Sequence, residues 1–214
     1  MFRKVNRYYI LCWFLLFFVG CINEPINTIE VKELLILDSI ATLYNDGDFE
    51  NSTKLAKKFT IEYPNNDKGF HLLSSSYLGQ SKDSLAAFFA GKALEVNPNN
   101  YIALTNMGIL YDRKSEYEKA TVFYEKSLKI NDTLFQTYSN YLVNRIKVGD
   151  FTNAVKMGEK ALEFGNHIWD KAHLCLSYHK VGDIEKRDSL LNTLKRLKFE
   201  KLTNLEVKIY EDIE

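Results

Sequence analysis

Apolar and small residues recur along this chain at helical rather than strand spacing. Leu104, Met107, Gly108 and Tyr111 fall on one face of a first helix, and Ala120, Phe123, Tyr124, Ser127 and Leu128 on one face of a second. Gly47-Asp48, Gly149-Asp150 and Gly182-Asp183 punctuate the pattern. In each pair the Gly suits a left-handed helix end and the Asp suits the N-cap of the next helix. Asn97-Pro98-Asn99-Asn100 ends another helix, because Pro disfavours helical backbone in the residue before it. Helices this short are marginal alone in water, so each apolar stripe needs a neighbour to cover it.

The pattern repeats at one fixed interval, the distance from Pro64 to Pro98. Pro64, Pro98, Asp132 and Asn166 form one evenly spaced column, and Gly47, Ser81, Ser115 and Gly149 another. Ser52, Ala86, Ala120 and Ala154 form a third, and Phe59, Ala93, Ser127 and Ala161 a fourth. Period and column chemistry resemble the tetratricopeptide repeat, which pairs two antiparallel helices in about 34 residues. The resemblance implies an all-α, right-handed superhelix of about five helix-turn-helix units, over 33–66, 67–100, 101–134, 135–167 and 168–201. The unit 101–134 carries the pattern best. The fifth is one residue out of phase, with Tyr178 and Gly182 early, which predicts a shortened turn near Asn166 and His167. Arg187 takes its small-residue column, a decay typical of a solenoid end. Leu202, Leu205, Ile209 and Ile213 predict a capping helix over 202–214.

The beginning of the chain follows another rule. Arg3, Lys4 and Arg7 precede a stretch from Tyr8 to Ile22 with no charge, the pattern of a secretory signal. The stretch is shorter than the ~20 apolar residues of a membrane span. Phe18-Val19-Gly20-Cys21 resembles a bacterial lipobox. The resemblance implies cleavage after Gly20 and acylation of Cys21, followed by a polar tether over 21–32. Acyl chains contribute roughly 0.8 kcal/mol per buried methylene, and two suffice for stable attachment. Ile22, rather than Asp, follows the Cys, which in that family favours the outer membrane of the bacterial envelope.

Composition sharpens this picture. The 214 residues carry 28 basic and 28 acidic side chains, but the three early cations leave 25 against 28 beyond them. The absence of a basic excess argues against a nucleic-acid partner. Of the three cysteines, Cys12 would leave with the signal and Cys21 would carry lipid. Cys175 then has no partner and reads as a small core residue. No HExxH, CxxC, GxSxG or phosphate-binding glycine loop occurs, so an enzyme, a cofactor and a metal are not expected.

In the family that the repeats resemble, first helices line a concave groove that takes an extended peptide or a partner helix. Carried over position by position, that groove would include Lys68, His71, Thr105, Asn106, Asp112, Gln136, Asn140 and Trp169. Asn106 and Asn140 stand one period apart and should face alike, with amides suited to pairing with a peptide backbone. Leu37, Ala41 and Ile102 stand where a carboxylate clamp would need polar side chains, which speaks against the chaperone-tail class of these repeats. The resulting expectation is a membrane-anchored scaffold that binds an envelope protein. The alternative is a glycan-capturing accessory subunit, since Tyr and Phe total 27 residues.

Overall fold

The computed structural model describes residues 28–196. The lipobox with Cys21, most of the tether and the segment 202–214 lie outside the described residues. The described chain is helical throughout. Its elements are α1 (Thr28–Asn45), α2 (Phe49–Glu62), α3 (Asp67–Gly79), α4 (Asp83–Val96), α5 (Tyr101–Arg113), α6 (Tyr117–Ile130), α7 (Phe135–Lys147), α8 (Phe151–Phe164), α9 (Ile168–Val181) and α10 (Ile184–Arg196). The helices pair in chain order, α1 with α2 through α9 with α10, and each pair packs on the next.

Successive first helices α1, α3, α5, α7 and α9 also touch one another. Among the described residues, no second helix comes within 8 Å, Cα to Cα, of another second helix. The first helices are therefore crowded on the inner side of a curved stack and the second helices splay on the outer side. This is a tetratricopeptide-type α-solenoid. The fifth unit comes early, as its sequence predicts. The connection 165–167 between α8 and α9 is one residue shorter than the connection 131–134 between α6 and α7.

Close approach of neighbouring helices depends on residues without side-chain bulk. A Cβ added at Gly108 would sit 2.4 Å from Cε1 of Tyr124. The Tyr124 ring thus lies directly on the α5 backbone and is fully buried. Gly69 receives Phe59 and Gly79 receives Phe49 in the same manner, at 2.4 and 2.5 Å. Ala56, Ala86, Ala90, Ala93, Ala120, Ala154 and Ala161 are buried completely. Leu73, Phe59, Ile40 and Leu142 fill the spaces between. Arg145 stands where its neighbours carry an aromatic ring. Its guanidinium lies over Tyr141, 5.2 Å from the ring centre, and bonds to Asn144 Oδ1 at 2.9 Å. A cation over a ring replaces a ring over a ring there.

The turns within pairs are copies of one another. The backbone N–H of Asp48, Lys82, Glu116, Asp150 and Asp183 each bonds, at 2.9 Å, to the carbonyl five positions earlier. The residue before each has positive φ: Gly47 at 79°, Ser81 at 56°, Ser115 at 61°, Gly149 at 78° and Gly182 at 79°. This is the Schellman helix end. Gly adopts it freely, whereas a serine there carries steric strain. The two serine turns are also the two without a capping side chain. Asp48, Asp150 and Asp183 accept from the N–H groups of Asn51, Asn153 and Lys186, while Lys82 and Glu116 cap nothing.

Two substitutions measure these constraints by urea unfolding. Gly108→Ala should cost roughly 1–3 kcal/mol, because a methyl group cannot share space with the Tyr124 ring. The pair Ser81→Gly and Lys82→Asp gives α4 the turn that begins α2, α8 and α10. It should add roughly 1–2 kcal/mol by relieving strain and supplying a cap.

Candidate partner-binding groove

The inner wall of the solenoid is built in rows, followed here with one residue from each of α3, α5, α7 and α9. Lys68, Ile102, Gln136 and Trp169 make the outermost row. Lys68 and Gln136 are exposed, Ile102 is half-buried and Trp169 is 39% exposed. A second row holds Ser75, Ile109, Val143 and Leu176, of which the three apolar members are half-buried. Leu176 joins this row only through the shorter step into the fifth unit, so a strictly uniform period does not find it.

The other expected groove residues divide between the wall and the interior. Asn140 is half-buried on the wall. His71, Thr105, Asn106 and Asp112 are buried and bonded to neighbouring helices. Asn106, only 4% exposed, donates its amide to Ser75 Oγ at 3.0 Å and Ser74 Oγ at 3.2 Å. Asn140 instead donates to the Gln136 carbonyl of its own helix at 2.7 Å. The two amides therefore do not face alike. The reason lies one unit upstream. Residues in the register of Ser74 and Ser75 are Gly108 and Ile109 in the next unit, which offer Asn140 no side-chain acceptor. In the following unit they are Leu142 and Val143. His173 continues the column of Asn106 and Asn140, and its buried Nδ1 has no hydrogen-bond partner.

Thr105 and Asp112 are joints between units. Thr105 Oγ1 meets Ser127 Oγ at 2.8 Å and Thr137 Oγ1 at 2.7 Å, which links α5, α6 and α7. Asp112 accepts from the Tyr124 hydroxyl at 2.7 Å and from Asn144 Nδ2 at 2.6 Å. Burial, followed by the nearby Asp112 carboxylate, pushes the Tyr124 hydroxyl far above the usual phenol range. Sequence reasoning missed Asn144 and Asn100, both buried amides. The signal for Asn100 was present, because Asn66 stands one period before it and both cap a first helix through their side-chain oxygens.

Asn100 fixes the state of His71. Its Oδ1 accepts from the N–H of Ala103 at 2.9 Å, which leaves Nδ2 as the donor toward His71 Nδ1 at 2.8 Å and Asp67 Oδ2 at 2.8 Å. An amide donor aimed at Nδ1 requires a lone pair there, so the ring is neutral and protonated on Nε2. Burial accordingly lowers the His71 pKa to about 4, against the opposing pull of the Asp67 carboxylate. Cys175 is buried beside the Arg187 carbonyl, and burial pushes its thiol up to about 11. Such a thiol is inert as a nucleophile near neutral pH. Among the described residues no group of three or more His, Cys, Asp or Glu side chains is placed to hold a metal ion.

Comparison with known proteins agrees with this architecture. Residues 89–121 match the family model described as tetratricopeptide repeat. The Anaphase-promoting complex subunit 3 of Schizosaccharomyces pombe is 35% identical over 60 residues, 28% of this chain. The chain spans only 9% of that relative's length. The crystal structure of TTC0263, a thermophilic protein of this repeat type from Thermus thermophilus, superposes with a TM-score of 0.66. It is 15% identical, and the match covers 84% of this chain and 97% of that one. A chain in the structure of Naa15/Naa10 bound to HypK-THB superposes with a TM-score of 0.55 at 21% identity, covering 80% of this chain and 26% of that one. At these identities the likeness is one of fold.

The neutral state of His71 gives stability a pH dependence of known sign. Above pH ~6.5 the ring is neutral whether the chain is folded or unfolded. Below that, the unfolded chain binds a proton that the folded chain refuses until pH falls to about 4. Stability should therefore drop as pH falls through this window, by on the order of 3 kcal/mol, and level off below it. His173, lowered chiefly by burial, contributes with the same sign. His71→Gln, which keeps an acceptor for Asn100, should flatten most of the slope in urea titrations between pH 7 and 4.

Proposed function

We propose that this tetratricopeptide-repeat chain is a non-catalytic scaffold, held on the bacterial envelope through lipid on Cys21, that takes a peptide or helix of a partner protein in its groove. The observation that carries the binding claim is the inner wall itself. Five first helices pack side by side, and side chains of four different chemistries follow one another along one row: exposed Lys68, half-buried Ile102, and exposed Gln136 and Trp169. Behind them the half-buried Ile109, Val143 and Leu176 supply apolar surface. The polar joints between units hold this wall in one shape, so binding needs little ordering of the groove. The Naa15/Naa10 complex with HypK-THB is an example of a similar fold found with a partner.

The membrane half of the proposal rests on the sequence from the start of the chain to Cys21. Among the described residues no helix is long and apolar enough to cross a membrane. A lipid on Cys21 supplies attachment without a span. The arrangement of aromatic rings favours a protein partner over a glycan. Tyr111 stacks on Phe123, Tyr124 lies against Tyr141, and Tyr138 stacks on Phe164, all inside the helix layers. Rings spent on packing are not free to stack on sugar.

The test uses side chains that can be removed without opening the core. Gln136→Ala, Asn140→Ala and Trp169→Ala together should leave the thermal unfolding midpoint nearly unchanged. They should abolish recovery of the partner in a crosslinking pull-down from native membranes. Undiminished recovery would refute the groove assignment. Asn106 is unsuitable for this purpose, since removing its amide strands the buried Ser75 hydroxyl and takes one of two bonds from Ser74. Cys21→Ser should abolish labelling by a fatty-acid probe, and persistent labelling would refute the anchor.

A further inference from the structure

At Leu35 the solenoid's first helix exposes a position that every later unit buries. In the register of Leu35 stand Gly69, Ala103, Thr137 and Asp170. All four are buried, because the preceding unit packs against them. Leu35 has no preceding unit among the described residues and is 64% exposed. Beside it, Leu34, the α1 member of the outermost row, is 53% exposed and Val31 is 40% exposed. Residues 31, 34, 35, 38, 42 and 45 share one helical stripe. Its first half is Val31, Leu34 and Leu35; its second half is Asp38, Thr42 and Asn45, also exposed. The stripe thus changes from apolar to polar along α1, away from the beginning of the chain.

Chain length says what lies next to the apolar half. Thr28 is seven positions beyond Cys21, so even a fully extended connection keeps the start of α1 within about 25 Å of that sulfur. Leu35 is a further ~10 Å along the helix. An acylated Cys21 places the apolar half of the stripe in reach of the bilayer surface and the polar half farther from it. The opposite side of α1 is spent on the core through Leu37 and Ile40, so the exposed apolar patch is the part of the helix left to seat at a headgroup boundary. We infer that the open end of the solenoid rests on lipid, with Val31, Leu34 and Leu35 in the interface and the groove rows rising from it. The inference depends on the lipid-anchor reading of Cys21 proposed above. It adds an orientation: the membrane serves as the cap that a preceding repeat would otherwise provide.

The experiment uses the full acylated chain, purified from membranes and reconstituted in vesicles of phosphatidylethanolamine and phosphatidylglycerol. In a Cys175→Ser background, a single NBD dye is placed at Leu35→Cys or, as the control on the same stripe, at Asn45→Cys. Both positions are exposed, so neither substitution threatens the fold. The expected result is flotation with the vesicles, blue-shifted emission at 35, and quenching by doxyl-labelled lipid about twofold or more stronger at 35 than at 45. Adding Val31→Ser and Leu34→Ser should reduce that difference while flotation persists. Flotation with equal quenching at both sites would overturn the inference and leave the anchor standing. A blue shift at 35 without lipid quenching would also overturn it, because protein, either a second copy or residues 22–27, would then cover the patch. Failure to float would overturn the anchor and the orientation with it.

Discussion

A tyrosine ring seated on a glycine sets the geometry of the central unit. Tyr124 occupies the space that any side chain at Gly108 would need, so α5 and α6 approach to ring thickness and no farther. The same ring aims its hydroxyl at Asp112, and Asp112 also takes the amide of Asn144 from α7. One close contact thus fixes the spacing within a unit and, through one carboxylate, the position of the next unit. Gly69 with Phe59 repeats the theme between units. The small residues do not merely permit packing; they choose which ring lands where.

Apolar packing alone leaves a solenoid free to slide in register. Bonds spanning nearly one period remove that freedom here. Asn106 reaches Ser74 and Ser75, Thr105 reaches Thr137, Asn144 reaches Asp112, and Ser139 reaches Asp170. Each is buried or half-buried, where an unmade bond leaves a desolvated polar group and costs ~1–3 kcal/mol. A shift by one residue would break several at once. The units are therefore held by polar specificity over an apolar base, and the histidine column shows the limit of the scheme. His173 inherits the position of Asn106, the register of Ser74 and Ser75 holds Leu142 and Val143 before it, and its Nδ1 remains without a partner.

The helix pairs, the Gly-Asp turns and the one-residue slip into the fifth unit were all legible in the sequence. They are properties of one position and its own column, and they survive averaging over repeats. The orientation of Asn106 was not legible, because it depends on what two residues of the preceding unit happen to be. Ser74 and Ser75 draw its amide inward, while Gly108 and Ile109 leave Asn140 on the wall. A repeat column records which residues are equivalent, not whether their neighbours are. The strained turns at Ser81 and Ser115 were half legible. Their column announced a glycine position, and only the backbone shows that serine adopts the same left-handed geometry there.

That distinction between equivalence and sameness also bears on recognition in the proposed groove. The backbone of every first helix is bonded within itself, so a ligand must be read by side chains. Along the outermost row those side chains are a cation, an aliphatic group, an amide and an indole, in fixed order. No reversal or translation of the row reproduces the series. A partner segment matched to the order Lys68, Ile102, Gln136, Trp169 would therefore bind the proposed groove in a single direction and register. A repeat fold built from one motif acquires an asymmetric reading surface because its outer columns vary where its packing columns do not.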